Sequence, residues 1–332
     1  MTNCLVIGAG IVGMTTALKL AENGKNVTIL DCKNKGQASN NAGGILFPLS
    51  PWNDSKFMQE LCISGHDEYN KLFLRLSGDK KKSINFTKSN ILIFGKNLIS
   101  ASKWYRNNNF VEIEYNDGRI SNKEENIITN HKESITIKDI NLVDPRKLSE
   151  FLHKELKNKN ASFIQMKVED LNLFLKHPEN NKYDYIIVSA GAWSNEVLND
   201  KKVFLKPIKG QTMLFRTNKK IISNTLLFDD LYIIPRGDNK FLIGSTLEDV
   251  GFDESISNEA KSIFDHALSK LFSPSIKILE KEYFFGFRPF ANQKPYICKS
   301  KNNERVIYNF GHYRYGILTA IASATIVDSM VS

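Results

Sequence analysis

The sequence predicts a mixed α/β protein, in which a doubly wound parallel-sheet layer of the dinucleotide-binding type is joined to a β-rich (α+β) part with antiparallel sheet. Three observations predict it. Residues 4–31 read as strand, glycine turn, helix and second strand; short apolar segments dominate 84–143 and 207–285; and strand, glycine turn and helix return near 184–198 and 306–332.

Residues 4–7 are apolar throughout, as a strand covered on both faces must be. Gly8, Gly10 and Gly13 follow as G-x-G-x-x-G where the chain turns into a helix. The first allows the tight turn, the second a close approach to a pyrophosphate, and the third close packing of helix on strand, with the N–H groups of the helix start facing the anion. The helix is expected to end near Gly24 and residues 26–30 to form the second strand. Asp31, eighteen residues past Gly13, then stands where a carboxylate accepts hydrogen bonds from an adenosine ribose.

Residues 32–41 form a polar loop, and AGGILFPLSPW (42–52) is irregular, its glycines able to approach a ligand closely. From 55 to 77 the contacts Phe57, Leu61, His66, Tyr69, Leu72, Phe73 and Leu76 fall at helical spacing. Residues 84–143 read as short antiparallel strands such as ILIFG and ITIKDINLV, with Asn- and Lys-rich turns between them. DPRKLSEFLHKEL (144–156) is a helix with Asp144 at its N-cap and Pro145 in its first turn. Residues 162–171 and 184–190 read as strands, the second entering a glycine turn, SAGAWSNEVL. Between 207 and 285, QTMLFRT, LLFDDLYIIP and KFLIGST read as strands and 258–272 as a helix; 306–332 closes as strand, glycine turn and helix. The dinucleotide domain is therefore expected in three pieces, 1–78, 144–205 and 284–332, and the second domain in two, 79–143 and 206–283.

With 332 residues, 42% of them hydrophobic, the chain can bury a large core. Its apolar start has no preceding Lys or Arg, so the glycine turn explains it better than an export signal. The apolar stretch 317–331 is too short for a membrane span and contains Thr319, Ser323, Thr325 and Asp328. Cys4, Cys32, Cys62 and Cys298 show neither C-x-x-C spacing nor a disulfide framework, which suits a reducing, cytoplasmic setting. The net charge of +9 comes from 45 Lys and Arg against 36 Asp and Glu. The basic residues form small scattered groups (Lys80 to Lys82, Lys201 with Lys202, Lys219 with Lys220) without aromatic interleaving, so solvated surface explains them, and the same field attracts a small carboxylate. No metal-ligand spacing and no G-x-S-x-G nucleophile motif occurs, so no metal is expected.

The first glycine turn does not separate NAD from FAD, since both lay an adenosine pyrophosphate over it. Later segments do. IIVSAGAWS (186–194), GFRP (286–289), KPYI (294–297) and GHYRYGIL (311–318) occur in the order and spacing of the D-amino-acid oxidase superfamily of FAD-dependent oxidoreductases, and the chain most resembles the glycine oxidases of thiamine biosynthesis over essentially its whole length. The resemblance implies a Rossmann-like FAD-binding domain plus a β-rich substrate domain with antiparallel sheet. Non-covalent FAD would lie with its pyrophosphate over Gly8, Gly10, Ile11, Val12 and Gly13, and its ribose at Asp31 beside Cys32. Val168 matches the residue whose backbone holds the adenine, and Ala42, Gly43, Gly44 and Ile45 those beside the ring. Ala190 and Gly191 of the second glycine turn are carried over as cofactor contacts, as are His312, Arg314, Tyr315, Gly316 and Ile317, whose turn offers N–H groups to negative charge on reduced flavin.

The resemblance also implies oxidative deamination of glycine, N-substituted glycines or small D-amino acids. A hydride leaves Cα for flavin N5 and an imine results, in the family's pathway a precursor of the thiamine thiazole; oxygen or another acceptor takes the electrons. Because the cofactor carries the chemistry, the protein must position the substrate. Arg288 of GFRP is expected to clamp the carboxylate with two parallel N–H···O bonds, Tyr232 to add a hydroxyl donor, and Arg314 to line the other side. Leu247 and Tyr315 are expected to shape the substrate pocket, core packing being the equal alternative for Leu247. His312 is read as a flavin neighbour, since no acid partner is placed to make it a general base. A homo-oligomer follows by analogy with the family.

Three segments depart from the family's pattern. Cys298 stands where a small glycine is usual, LTAIASA (318–324) replaces a proline-containing stretch, and PLSPW (48–52) brings Trp52, which is expected to narrow the entrance. The alternative is a tRNA-modifying flavoprotein that removes carboxymethyl from a wobble-uridine side chain. The net charge fits it, whereas the chain has no room for the methyltransferase domain that usually accompanies that branch. A plain NAD-dependent dehydrogenase is a third reading.

Overall fold

The computed structural model describes residues 1–108, 111–117, 124, 126–200, 202–292 and 294–331. Lys201 and Ser332 lie outside the described residues, as do 109–110, 118–123 and 125 of the stretch expected as short strands.

Strand β1 (Asn3–Ile7) turns through Gly8 into α1 (Ile11–Glu22), and β2 (Asn26–Asp31) follows. An irregular loop leads to α2 (Lys56–Arg75), where the hydroxyl of Ser55 accepts the Met58 N–H, and to the short α3 (Gly78–Ser83). Next come β3 (Thr87–Phe94), α4 (Leu98–Asn108), β4 (Ile113–Asp117) and β5 (Glu133–Leu142). Helix α5 (Pro145–Asn158) opens under Asp144, whose carboxylate accepts the N–H groups of Arg146 and Lys147 as an N-cap should. The chain continues through β6 (Ser162–Gln165), α6 (Leu171–Lys176), β7 (Tyr185–Val188), α7 (Ser194–Leu198), β8 (Lys206–Thr217), β9 (Thr225–Phe228), β10 (Leu231–Pro235) and β11 (Lys240–Gly244). It ends with α8 (Asn258–Leu271), β12 (Ile278–Phe290), β13 (Tyr296–Lys299), β14 (Val306–Phe310) and α9 (Gly316–Asp328).

These strands make two sheets. The smaller has the order β13-β14-β7-β1-β2-β6, parallel except where β13 pairs with β14. Helices α1, α2, α5 and α9 supply the core on one face, and residues around α6 and α7 that on the other, so β1 is buried on both sides. The larger sheet runs β12-β8-β11-β10-β9-β3-β5-β4 and is antiparallel apart from the β3/β9 pair. Its strands split their apolar runs by strict alternation. Leu92, Phe94, Leu226, Ile233 and Ile243 join α8 in one core, while Ile91, Ile93, Leu227, Ile234 and Leu242 join α4 in another. Both faces are thus covered along these strands, so the alternating pattern expected of 84–143 separates two cores rather than a core from solvent.

The mixed α/β class and the strand–turn–helix start agree with the sequence reading, and four local expectations change. LLFDDLYIIP is two strands, β9 and β10, turned at Asp229 with φ +50°. The stretch 162–171 is strand only to Gln165, and Asp170 caps α6 instead. Between the short strands lies α4, whose buried Ala101, Trp104 and Tyr105 recur at helical spacing in a segment whose Asn-rich end resembles a turn. Strand β12 runs through the expected join at 283–284 and pairs with β8 from Ile278 to Phe290, so GFRP is carried by the larger sheet. Among the described residues no helix is long and apolar enough to cross a membrane, and no group of three His, Cys, Asp or Glu side chains could hold a metal.

Candidate active site

One continuous cleft is lined from both sheets. Gly8, Gly10, Ile11 and Val12, then Asp31 and Cys32, Ala42 to Ile45, Val168, and Ala190 with Gly191 contribute to it from loops around the smaller sheet. Tyr232, Gly210, Ser245 and Arg288 contribute from the larger one, and His312 to Ile317 from the turn before α9. Leu247 does not. It is 51% exposed and absent from the lining, so the expectation that it shapes the pocket is corrected: Thr246 and Glu248 turn toward β8, and alternation sends the residue between them outward.

At the β1–α1 turn Gly8 takes φ +110° and donates its N–H to the Leu30 carbonyl at 2.7 Å. A Cβ there would lie 2.4 Å from the Ser189 carbonyl oxygen, so only glycine fits. Gly13 lies so close to the same turn that a Cβ on it would stand 2.0 Å from the Gly8 carbonyl oxygen. Helix α1 begins without a side-chain cap from Gly10 and without an acidic residue in its first turn; the Ser39 hydroxyl accepts the Ile11 N–H at 2.9 Å. That helix start is suited to an anion. Asp31 accepts the Ala9 N–H at 3.2 Å and the Lys33 N–H at 3.1 Å, which orients its carboxylate while leaving acceptor capacity for a hydroxyl.

The 42–45 loop is fastened from the other sheet. Arg236 donates to the carbonyls of Gly43 and Val143, and Val143 N–H bonds the Gly44 carbonyl at 3.0 Å. Burial pushes the Arg236 guanidinium below its ordinary value. The Tyr232 ring lies against Gly43, where an added Cβ would stand 3.1 Å away.

Arg288 extends over Gly210: a Cβ at 210 would fall 2.0 Å from its Nη2. Its fork is held by neutral acceptors, with Nη1 donating to the Thr246 carbonyl at 2.9 Å and Nη2 to Ser245 Oγ at 2.6 Å. No carboxylate forms an ion pair with it among the described residues. Burial lowers its pKa, and Arg314 nearby pushes the same way. Tyr232 shares the Ser245 hydroxyl, and burial raises its phenol. Arg314 is exposed at the cleft wall. Tyr315 is buried and donates its hydroxyl to Asp54 Oδ2 at 2.8 Å; burial raises both the phenol and the Asp54 carboxyl. Trp52 packs edge-on against Tyr105 and does not line the cleft, so the expectation that it narrows the entrance is corrected; of its neighbours, Phe47 and Leu49 are among the lining residues.

His312 is 1% exposed, with Nδ1 2.9 Å from Thr319 Oγ1 and Nε2 2.9 Å from Asn309 Oδ1. Burial pushes its pKa down to about 3. The neutral ring donates through Nε2 to Asn309 Oδ1, while the Thr319 hydroxyl beside Nδ1 donates to the Tyr315 carbonyl at 2.9 Å. Asn309 passes the network to Thr16, which donates to the Val12 carbonyl in α1. Sequence reasoning missed Thr16, Asn309 and Thr319; polar residues within apolar helix and strand runs were the available signal. It also missed Ser39, Trp193 and the Ser189 hydroxyl.

The FAD that the resemblance implies meets a cradle of the right chemistry. The cleft joins an anion-favouring helix start to an acid at the end of β2, and Ser189 Oγ, buried in its lining, has no hydrogen-bond partner among the described residues.

The model of a family described as FAD dependent oxidoreductase matches residues 3–330. Among curated proteins, a glycine oxidase of Pseudomonas aeruginosa is 26% identical, the match covering 99% of this chain and 94% of that protein. A glycine oxidase of Bacillus subtilis is 24% identical over 98% of this chain and 92% of its own length. In fold, the chain is similar to the crystal structure of glycine oxidase from Bacillus cereus, with a TM-score of 0.84, 19% identity, and coverage of 100% of this chain and 95% of that one.

Proposed function

The chain belongs to the FAD dependent oxidoreductase family, and we propose that within it this protein oxidises the amine of glycine, an N-substituted glycine or a small D-amino acid. The observation that carries the reading is Arg288, a guanidinium on the cleft wall held in place by two neutral acceptors and paired with no carboxylate among the described residues. Neutral acceptors fix the fork without cancelling its charge, so the charge is left for a ligand carboxylate. A charge-assisted bond of this kind contributes about 1.5–3 kcal/mol.

On this reading the turn at Gly8 to Gly13 and Asp31 hold the adenosine half of FAD, and Ala42 to Ile45 and the 312–317 turn hold the flavin half. When bound, FAD would supply a two-electron acceptor for the Cα hydride, leaving the substrate as a protonated imine that water hydrolyses to a 2-oxo acid and ammonia or, from an N-substituted glycine, the amine. Arg288 binds the carboxylate, Tyr232 adds its hydroxyl, and Arg314 attracts the anion at the exposed wall. His312, neutral, supports the turn and moves no proton. The smaller-sheet side serves the cofactor and the larger-sheet side the substrate. Oxygen as final acceptor gives hydrogen peroxide, and the imine suits thiamine thiazole formation.

The test is anaerobic. Purified yellow protein is mixed with glycine, sarcosine or D-alanine and the visible flavin bands are followed. Rapid bleaching by at least one is expected; flavin that stays oxidised with all three overturns the small-amino-acid reading.

A further inference from the structure

We infer that Lys209 and Asp253 are positioning residues for Arg288, acting from the opposite face of β8 through a strap of residues 245–257. This rests on the reading of Arg288 as the carboxylate clamp.

Side chains alternate along β8. Gly210 lies on the face over which Arg288 extends, so Lys209 and Gln211 point the other way. Lys209 is wholly buried, at 0% exposure, and does not line the cleft. Its ammonium stands 2.6 Å from Asp253 Oδ2 and 4.0 Å from Glu248 Oε2. Glu248 Oε1 accepts from the Gln211 side-chain amide at 2.6 Å and from the Thr246 hydroxyl. Backbone bonds run alongside: Lys209 and Glu248 exchange N–H···O bonds at 2.9 and 3.0 Å, and Thr246 N–H reaches the Gln211 carbonyl at 3.2 Å. Gln211 also accepts the Ser257 N–H at 3.0 Å, fastening the far end.

The strap thus has two sides. Its back is held by one buried ammonium and the carboxylates around it. Its front offers the Thr246 carbonyl and the Ser245 hydroxyl to Arg288. Burying an ammonium is unfavourable unless it is paired, and an apolar side chain would fill the same space more cheaply. What the ion pair adds is a fixed geometry, transmitted through Glu248 and Thr246 to the guanidinium. The Asp253 carboxyl is held down to about 2, chiefly by its hydrogen bond from Lys209, so this carboxylate stays ionised at any working pH.

The experiment uses FAD-loaded protein with Lys209→Met and, separately, Asp253→Asn, which alters only the more exposed partner and leaves the β8 core intact. Acetate, titrated calorimetrically, is the carboxylate probe. Expected are acetate binding weakened about tenfold, a KM for the reducing amino acid raised about tenfold, and a kcat within about threefold of wild type, the pattern of lost uniform binding. In an Arg288→Lys background, Lys209→Met should change acetate affinity less than about twofold, because the two act as one unit. Acetate binding within about twofold of wild type in Asp253→Asn, or additive losses in the double variant, overturns the inference while the amine-oxidising reading stands. Wild-type protein that binds no acetate overturns the reading of Arg288 itself, and this inference with it.

Discussion

Arg288 and Gly210 show how far single residues decide the site. The guanidinium lies where a Cβ on residue 210 would be, 2.0 Å from Nη2, so the clamp needs a residue with no side chain in the strand beside it. Gly210→Ala should therefore displace the fork from Thr246 and Ser245. We expect kcat/KM for the reducing amino acid to fall about tenfold to a hundredfold, the loss of one charge-assisted bond, with thermal stability little changed; unaltered kinetics would show that the fork has room to spare. Arg288 was legible in the sequence because GFRP is a distinctive motif in a fixed order. Leu247 was not, because its orientation depends on which neighbours the strap turns toward β8, a tertiary fact. Thr319 was noted only as a polar residue in an apolar run; its hydrogen bond to His312 appears once α9 is placed.

At the scale of elements, the β1–α1 turn was the most legible part of the chain, since each glycine answers to a contact in the fold. Gly13→Ala puts a methyl group 2.0 Å from the Gly8 carbonyl oxygen and must push α1 away from the turn that faces the cofactor. The variant is expected to purify with little or no bound flavin, measured as the ratio of visible to protein absorbance; full flavin content would show that the turn yields without cost. Elements with strong signals at both ends were also read well, such as α5 under its Asp144 cap. Helix α4 and the β9–β10 hairpin were lost, because an Asn-rich end and a two-Asp turn look alike when only composition is seen. The parallel pairing of β3 with β9 is non-local, 134 residues apart at Ile91 and Thr225, and no local pattern encodes it.

For the whole molecule, burial of His312 makes folding sensitive to acid. Its folded pKa is about 3 against an ordinary 6.5, so between those values the unfolded chain holds the extra proton. Its contribution is fully present above pH 6.5 and is lost progressively as pH falls toward 3, amounting to about 2 kcal/mol by pH 5. The urea midpoint should drop from pH 7 to pH 5, and His312→Gln should shrink that drop; an equal drop in the variant would assign it to other groups. Class and family were legible from order and spacing, whereas the path of β12 was not, because that strand runs through the boundary expected at 283–284. That strand has a mechanical consequence. Phe287 N–H bonds the Gly36 carbonyl at 2.8 Å and Phe290 bridges to His312, so one rod of backbone is riveted to loops of the opposite sheet on either side of Arg288. A tie of that kind resists a clamshell motion. On the proposed function, passage into the cleft is then expected to rely on side chains and short loops at the rim, whose motions run on the order of nanoseconds to microseconds, rather than on separation of its two walls.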